Sequence, residues 1–481
     1  VKEIRDYKEY LVKNLYHEVR LEQELDRTYI DDTFVVPEVK NPHHLYRSGF
    51  GVRIVDAPAE QIVTSNPQAF VTIHKGSQEA SERLGEVINQ RWVDILRRQN
   101  PNPFKENIKD GLGRGEFFIK VVHKEDWVTS NPDKMGLPVV FMILDPMVIY
   151  ASPEEDDNGI PLRIMVIYQR QTKDLIVRYP DWQDNARKLG KAIGDNVEWV
   201  EYWDKEERYI EADEVAITNG VEPNLYKFPP FVRKYSGFGR RSPTGNLSNL
   251  IVSDIRRSRD LLREECAMRS NIASVEYLFA HQNANITMPE QGLDETKAAT
   301  EISFGAYDVN LLPFGTKIDF MDIRPNPESF KHHADIVAEL NQRHPFVMAG
   351  FPFGSSGRQQ DMTQTHAMRR YDSIVENAEN AWGTAFEMAL KICDRVPKLK
   401  PDYLRKDDLK TTFEIEVKLK AKDPIEEDRK ITLGDRLWNA GRGSISLKTF
   451  HVEYQGMTED ESKTEIANMR ADQVTIYNPE I

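Results

Sequence analysis

Two long amphipathic stretches, residues 246–273 and 361–395, constrain this chain more than any other feature. A helix with one apolar stripe must bury that stripe against a partner. The first stretch carries Leu247, Leu250, Ile251, Ile255, Leu261, Leu262 and Cys266 at helical spacing. The second carries Met368, Tyr371, Val375, Ala378, Trp382, Phe386, Ala389 and Ile392. Between them lie a mixed insert (274–324), a shorter helix (327–344) bounded by prolines, and a loop (346–357) rich in Phe and Gly. This order suggests a part that acts by shape and assembly rather than by bond chemistry.

A chain of 481 residues can build more than one hydrophobic core, so two to four domains are expected. With 40% hydrophobic and 30% charged residues it reads as folded rather than disordered. The net charge of −14 argues against tight DNA binding, because phosphates would be repelled. The two cysteines, Cys266 and Cys393, exclude a disulfide framework or a cysteine zinc site and fit a reducing setting. The first residues lack a signal-type apolar segment, and the longest apolar run, 137–144, is too short to span a bilayer. A soluble protein made in the cytoplasm, with no membrane partner, is expected.

Periodicity predicts an α+β chain. The first hundred residues are mainly helical, with uneven stripes at Tyr10, Leu11, Leu15, Val19, Leu21 and Leu25, then Leu84, Val87, Ile88, Trp92, Ile95 and Leu96. From Gly115 to Arg233 short β-branched and aromatic runs predict strands at 117–123, 138–144, 147–151, 163–169, 175–179, 197–203 and 208–210. Turn signals separate them and no crossover-length helix intervenes, so the sheet should be antiparallel. Strand-like pieces recur at 275–280, 310–313 and 317–321, and the end is helical. Asp423-Pro424-Ile425-Glu426 reads as a helix start, Gly441 and Gly443 as its end, and Ser446 and Thr458 as caps of two more helices.

No catalytic constellation stands out. The glycines of 350–357 lack the lysine of a phosphate-binding loop. Gly111-Leu112-Gly113-Arg114-Gly115 precedes a strand instead of following one, so a turn is expected rather than a dinucleotide site. Glu154, Asp156, Asn158 and Gly159 imitate a calcium loop, but its twelfth position is Met165, and a hairpin tip is the better reading. His332 and His333 are adjacent and cannot clamp one metal as an i, i+4 pair does; His43-His44 is equally weak. No Ser, His and acid group is marked by a nucleophile elbow. Arg256, Arg257, Arg259 and Arg263 share their helix with Asp254, Asp260, Glu264 and Glu265, which suggests salt bridges rather than a phosphate stripe. No cofactor and no metal are expected.

The order of elements resembles a tailed-bacteriophage portal protein. The resemblance rests on Phe228-Pro229-Pro230-Phe231-Val232 with Ser236-Gly237-Phe238-Gly239 and Ser242-Pro243, like the family's proline-marked approach to its first stem helix. It rests also on the helix–insert–helix–loop–helix succession of 246–395, and on Asn439-Ala440-Gly441-Arg442-Gly443-Ser444-Ile445-Ser446 with the acidic Glu459-Asp460-Glu461, which resemble a crown. It is a likeness of architecture over about 105–471, not of an invariant motif.

The resemblance implies a wing of helices and antiparallel sheet (1–245), a stem helix (246–273), a small α/β clip (274–326) and a second stem helix (327–345). A tunnel loop (346–360), a tunnel or wing helix (361–395), and a C-terminal wing strand with helical crown (396–481) would follow. It further implies a dodecameric ring at one capsid vertex of the virion, with double-stranded DNA passing through independently of sequence. Terminase large subunit, head-completion or tail adaptor, and major capsid and scaffolding proteins would be its partners. The portal itself would hydrolyse nothing. Phe346, Val347, Met348, Phe351 and Phe353 make the loop apolar, Gly350, Gly354 and Gly357 let it bend, and Arg358 follows; together they are the expected channel lining. Two rivals stand beside this: a structural adaptor ring without a channel, and a hydrolase using acids such as Glu154 and Asp156.

Overall fold

The structure, a computed structural model, describes residues 1–36, 45–63, 67–74, 78–124, 127, 136–156, 159–217, 220–243, 245–280, 284–287, 317–320, 326–344, 367–396, 398, 400–405, 409, 413–419, 424–438, 442, 444–455 and 462–470. The fold is α+β with antiparallel sheets. Helices α1 (Lys2–Tyr10) and α2 (His17–Ile30) are joined through a π-turn, Leu11–Leu15. Leu11 and Val19 are buried, but Tyr10, Leu21 and Leu25 of the expected stripe are exposed. The π-turn adds a residue per turn, so a 3.6-residue pattern drawn straight through it selects the wrong face.

Next come α3 (Phe50–Ile62), strand β1 (Gln68–Ile73), α4 (Gln78–Ile88), α5 (Asp94–Arg97) and α6 (Pro103–Arg114). Leu84, Ile88, Trp92 and Leu96 are buried as expected, while Ile95 faces outward. Helix α6 has no counterpart in the sequence reading. The Asn102 side chain accepts the Phe104 N–H at 3.0 Å and Pro103 occupies the first helical position, a start signal hidden in a proline-rich stop. The glycine cluster expected as a turn is instead the last turn of this helix. Only Gly115 leaves it, at φ +83°, and a Cβ there would lie 2.6 Å from the Val252 nitrogen.

Two sheets follow. Strands β2 (Glu116–His123) and β3 (Val139–Ile143) pair in one sheet, whose third strand, on the far side of β2, comes later in the chain. The larger sheet contains β4 (Ile149–Ala151) and β5 (Ile164–Gln171). Helices α7 (Thr172–Arg178) and α8 (Trp182–Lys188) precede its remaining strands β6 (Asn196–Trp203), β7 (Glu207–Ala212), β8 (Val215–Ala216) and β9 (Glu222–Pro223). Strand β10 (Phe231–Tyr235) then returns to the first sheet. Every pairing is antiparallel, as expected. The expected strand at 175–179 is helix α7: Leu175 and Trp182 are buried together, and Thr172 donates through both its N–H and its hydroxyl to the Asp195 carbonyl, closing the segment into a helical start. Tertiary burial overrides the β-branched run there. Gly159 (φ +73°) donates its N–H to Asp156 O at 2.9 Å, the expected hairpin tip.

The expected first long helix begins late. Asn246 caps a short 3-10 turn, Leu247–Asn249, and regular helix starts only at α9 (Arg259–Ala280), which continues through the expected strand at 275–280. Residues 250–258 are irregular because their backbone is engaged elsewhere: Asp254 N–H donates to Leu112 O at 2.9 Å, and Ser253 Oγ accepts from Arg256 N–H at 2.8 Å. Strands β11 (Ala284–Thr287) and β12 (Lys317–Phe320) pair with each other, and α10 (Pro327–Arg343) returns along α9. Helix α11 (Asp372–Arg395) follows a break at Arg370–Tyr371, then β13 (Phe413–Lys418), which pairs with β1, and α12 (Pro424–Trp438). Ser446 caps a short helical segment as expected, accepting Thr449 N–H at 3.1 Å. Asn310–Pro313, His43-His44, Thr458 and the crown glycines Gly441 and Gly443 lie outside the described residues.

Helix α11 is the centre of the largest core, and all eight residues of its expected stripe are buried. Trp382 packs between Phe104 (4.4 Å between ring centres) and Phe141 (5.8 Å), and Phe386 against Trp92 (5.9 Å). A tryptophan so enclosed is worth about 3–5 kcal/mol against alanine. On the sheet side Glu116 and Arg233, both fully buried, form an ion pair at 2.8 Å.

Candidate site at the roots of the Phe- and Gly-rich loop

The expected channel residues Phe346, Val347, Met348, Gly350, Phe351, Phe353, Gly354, Gly357 and Arg358 lie outside the described residues. Described residues on either side of that loop in the sequence, His344 and Arg370, both reach Asp254. From the N-terminal side, His344 at the end of α10 places Nδ1 3.2 Å from Asp254 Oδ2, an ion-pair distance at which neither atom completes a hydrogen bond. From the C-terminal side, Arg370 donates to Asp254 Oδ1 at 2.6 Å. Arg257 stands 3.7 Å from the same oxygen, and Arg343 donates to the Arg257 carbonyl at 3.1 Å. Asp254 is fully buried. Burial alone would push its carboxyl up, but His344 and Arg370 more than offset that and hold it below the usual aspartate range.

The same irregular segment reaches α2. Arg259 donates to Asp26 Oδ1 at 2.8 Å and to Glu22 Oε2 at 2.6 Å, Arg256 sits 3.2 Å from Glu22, and Ser253 donates to Asp26 at 2.8 Å. Burial raises the Asp26 carboxyl to about 6 despite Arg259. Farther along, Glu264 and Glu265 of α9 meet His332 and His333 of α10 at 3.0 and 3.3 Å. The adjacent histidines therefore address two different carboxylates, and the arginine- and acid-rich face is a set of ion pairs as expected. Among the described residues no group of three or more His, Cys, Asp or Glu side chains is placed to hold a metal.

One arrangement was invisible in the sequence. Ser258 Oγ lies 2.6 Å from His344 Nε2, so Ser258, His344 and Asp254 stand in the order of a hydrolytic triad. The fold argues for a structural role. All three are buried, two arginines already neutralise the acid, and the cleft described below does not reach the serine. A nucleophile needs room for a reacting carbon and for oxyanion donors about 3 Å away. No spacing could have signalled this meeting, since residue 254 pairs with positions 90 and 116 residues downstream. Glu154 and Asp156, the acids of the hydrolase alternative, belong to the hairpin: the Glu154 carbonyl accepts from Ser152 Oγ, and Asp156 Oδ1 accepts the Ile160 N–H.

No protein-family model and no curated protein matches the chain. Among solved structures it is similar to a chain of the virion of a native gene transfer agent particle, at 14% identity and TM-score 0.44, covering 90% of this chain and 98% of that one. It is similar at 12% identity and TM-score 0.44 to a chain of the neck of the native particle computed with C12 symmetry, covering 90% and 98%. A chain of the empty particle's neck, computed with C6 symmetry, gives 13% identity and TM-score 0.44, covering 90% and 93%. The chain is thus similar to components of gene transfer agent virions and necks, at a level that shows neither family nor activity.

Proposed function

We propose that this chain is a portal protein, one subunit of a ring at a capsid vertex through which double-stranded DNA is packaged and ejected. The observation that carries the reading is a buried carboxylate at the near end of a helical hairpin, where the segments before and after a Phe- and Gly-rich loop meet. Helices α9 and α10 run antiparallel, tied by Ser258–His344 near one end and Glu264–His332 farther along. The β11–β12 pair interrupts the chain beyond their far ends. At the near end one buried carboxylate is approached by His344 from before the loop and by Arg370 from after it.

Tying the segments before and after the loop to one carboxylate limits how far it can stray from one copy to the next, which a ring-shaped conduit requires. On this reading α9 and α10 are stem helices, 274–326 the clip, 346–360 the tunnel loop, and 396–481 the last wing strand and crown. The acidic chain suits a conduit that must not grip its cargo, because each strong phosphate contact would have to be broken during sliding. No catalysis is assigned to it; terminase and head-completion or tail proteins would dock on the clip.

Mass measurement and electron micrographs of the purified protein test the proposal. A closed ring, dodecameric in the virion, with an open axial bore is the expected result. A compact monomer under all assembly conditions would sink it, and a ring without a bore would favour the adaptor alternative.

A further inference from the structure

The two sheets do not close completely on each other. Between β2 and β3 on one side and β5, β6 and β7 on the other lies a cleft of about 470 Å³, within the size range of small-molecule sites. Its lining departs from the acidic balance of the chain. Five cations, Lys120, Lys124, Arg170, Arg178 and Arg208, face a single carboxylate, Glu201. Lys120 already neutralises that acid, with Nζ 2.7 Å from both oxygens. Burial pushes Glu201 up, but Lys120 and the Trp203 N–H more than offset this, so the pair stays charged and internally satisfied.

The remaining charge is presented in a particular way. Arg170 lies over Trp199, 5.1 Å from the ring centre, and Arg208 over Trp203 at 4.8 Å. A guanidinium lying on a ring keeps its N–H donors in its own plane, so stacking fixes the fork without using it. Among the described residues neither arginine has a carboxylate at ion-pair distance. Two buried donors on these residues, Trp199 Nε1 and Arg208 Nε, also have no hydrogen-bond acceptor there. Half-buried Tyr168 and Tyr179 extend the aromatic wall beside Trp199, at 6.4 and 5.9 Å between ring centres.

We propose that this inter-sheet cleft is a nucleotide-binding site: Arg170 and Arg208 each offer a guanidinium fork to a phosphate group, and a base stacks on the Tyr168–Tyr179 wall. Cations interleaved with aromatic faces recognise unpaired nucleotides without reading sequence. A duplex cannot enter such a cleft, so this site is separate from any channel and stands whether or not the chain forms a ring. The shared chemistry, a base with a phosphate, is supplied either by a free mononucleotide or by an unpaired DNA end.

The test is titration of the intact assembled protein with dTMP, thymidine, inorganic phosphate and a 5′-phosphorylated oligo-dT tetramer, following tryptophan fluorescence and heat. Saturable binding of dTMP is expected, with thymidine and phosphate each about tenfold weaker or more, since each lacks one half of the recognition. A tetramer binding about tenfold tighter than dTMP would identify the DNA end as the source; equal affinity would identify the free nucleotide. Arg170→Ala with Arg208→Ala should weaken dTMP by about tenfold or more at unchanged assembly mass. Should that variant fail to fold, the double exchange to Lys keeps the charge but removes the planar fork, and should still weaken binding several-fold. Absence of saturable binding by dTMP and tetramer alike overturns the proposal. So does thymidine binding as well as dTMP, displacement by polyglutamate as effective as by the tetramer, or unaltered binding by the variants.

Discussion

Asp254 has more dependent on it than any other single residue described. Replacing it with Asn removes the charge opposite half-buried Arg370 and beside buried His344; a fully buried pair would cost about 3–5 kcal/mol to break, and less is expected here because Arg370 keeps contact with water. The loss should appear as a lower melting temperature, with both loop flanks becoming more sensitive to protease. Because its folded pKa is depressed, the stability Asp254 contributes is complete above the ordinary aspartate value of 3.8 and is lost as pH falls below it. Asp26 has the opposite sign. Its carboxyl is raised from 3.8 to about 6, so the folded state takes up a proton first and stability declines as pH rises from about 4 through 6. Asp26→Asn should therefore gain about 2 kcal/mol on the wild type between pH 4.5 and pH 7. Melting curves of both proteins at the two pH values check this, and parallel shifts would refute it. The sequence disclosed that this region is rich in opposite charges. It could not disclose which charges meet, because Asp254 collects partners from segments distant in the chain.

At the scale of elements, legibility followed the source of each signal. The stripe of α11 was readable because a helix buried on a broad face repeats its apolar positions without interruption, from Val375 to Ile392. The start of α9 was not readable. Leu247, Ile251 and Ile255 keep helical spacing and are buried, yet their backbone is held by α6 and by serine side chains in a non-helical path. Helix α7 was misread because Ile176 and Val177 favour strands while Leu175 and Trp182 decide the packing. The α9–α10 hairpin leaves apolar surface uncovered, with Phe279 48% and Phe330 41% exposed. If stems of neighbouring copies cover that surface, Phe330→Glu should convert the assembly into monomers or small oligomers while leaving each subunit's melting temperature within a few degrees. Each lost aromatic contact would remove about 1.5–3 kcal/mol per interface. Native mass measurement at several protein concentrations reads the result, and an unchanged ring would exclude this face from the interface.

For the molecule as a whole, the antiparallel α+β character was legible from turns and alternation, whereas the proposed ring would be a property of surfaces that a single chain's periodicity does not encode. The loop of 346–357 connects the two scales. His344 before it and Arg370 farther along after it both contact Asp254, and its sequence combines phenylalanines with glycines. Neither of those contacts is made by a residue of the loop, so a change at its middle should leave the subunit fold and the proposed ring untouched. Phe351→Ala with Phe353→Ala removes two large apolar side chains without disturbing Asp254 or either helix of the hairpin. The expected outcome is normal ring mass and normal melting, with packaging or retention of DNA impaired in an assembly assay. Because the variant keeps the clamp, a packaging loss accompanied by ring dissociation would point instead to a role in subunit contacts. Packaging at the wild-type level would show that these two phenylalanines do not line the path of the DNA.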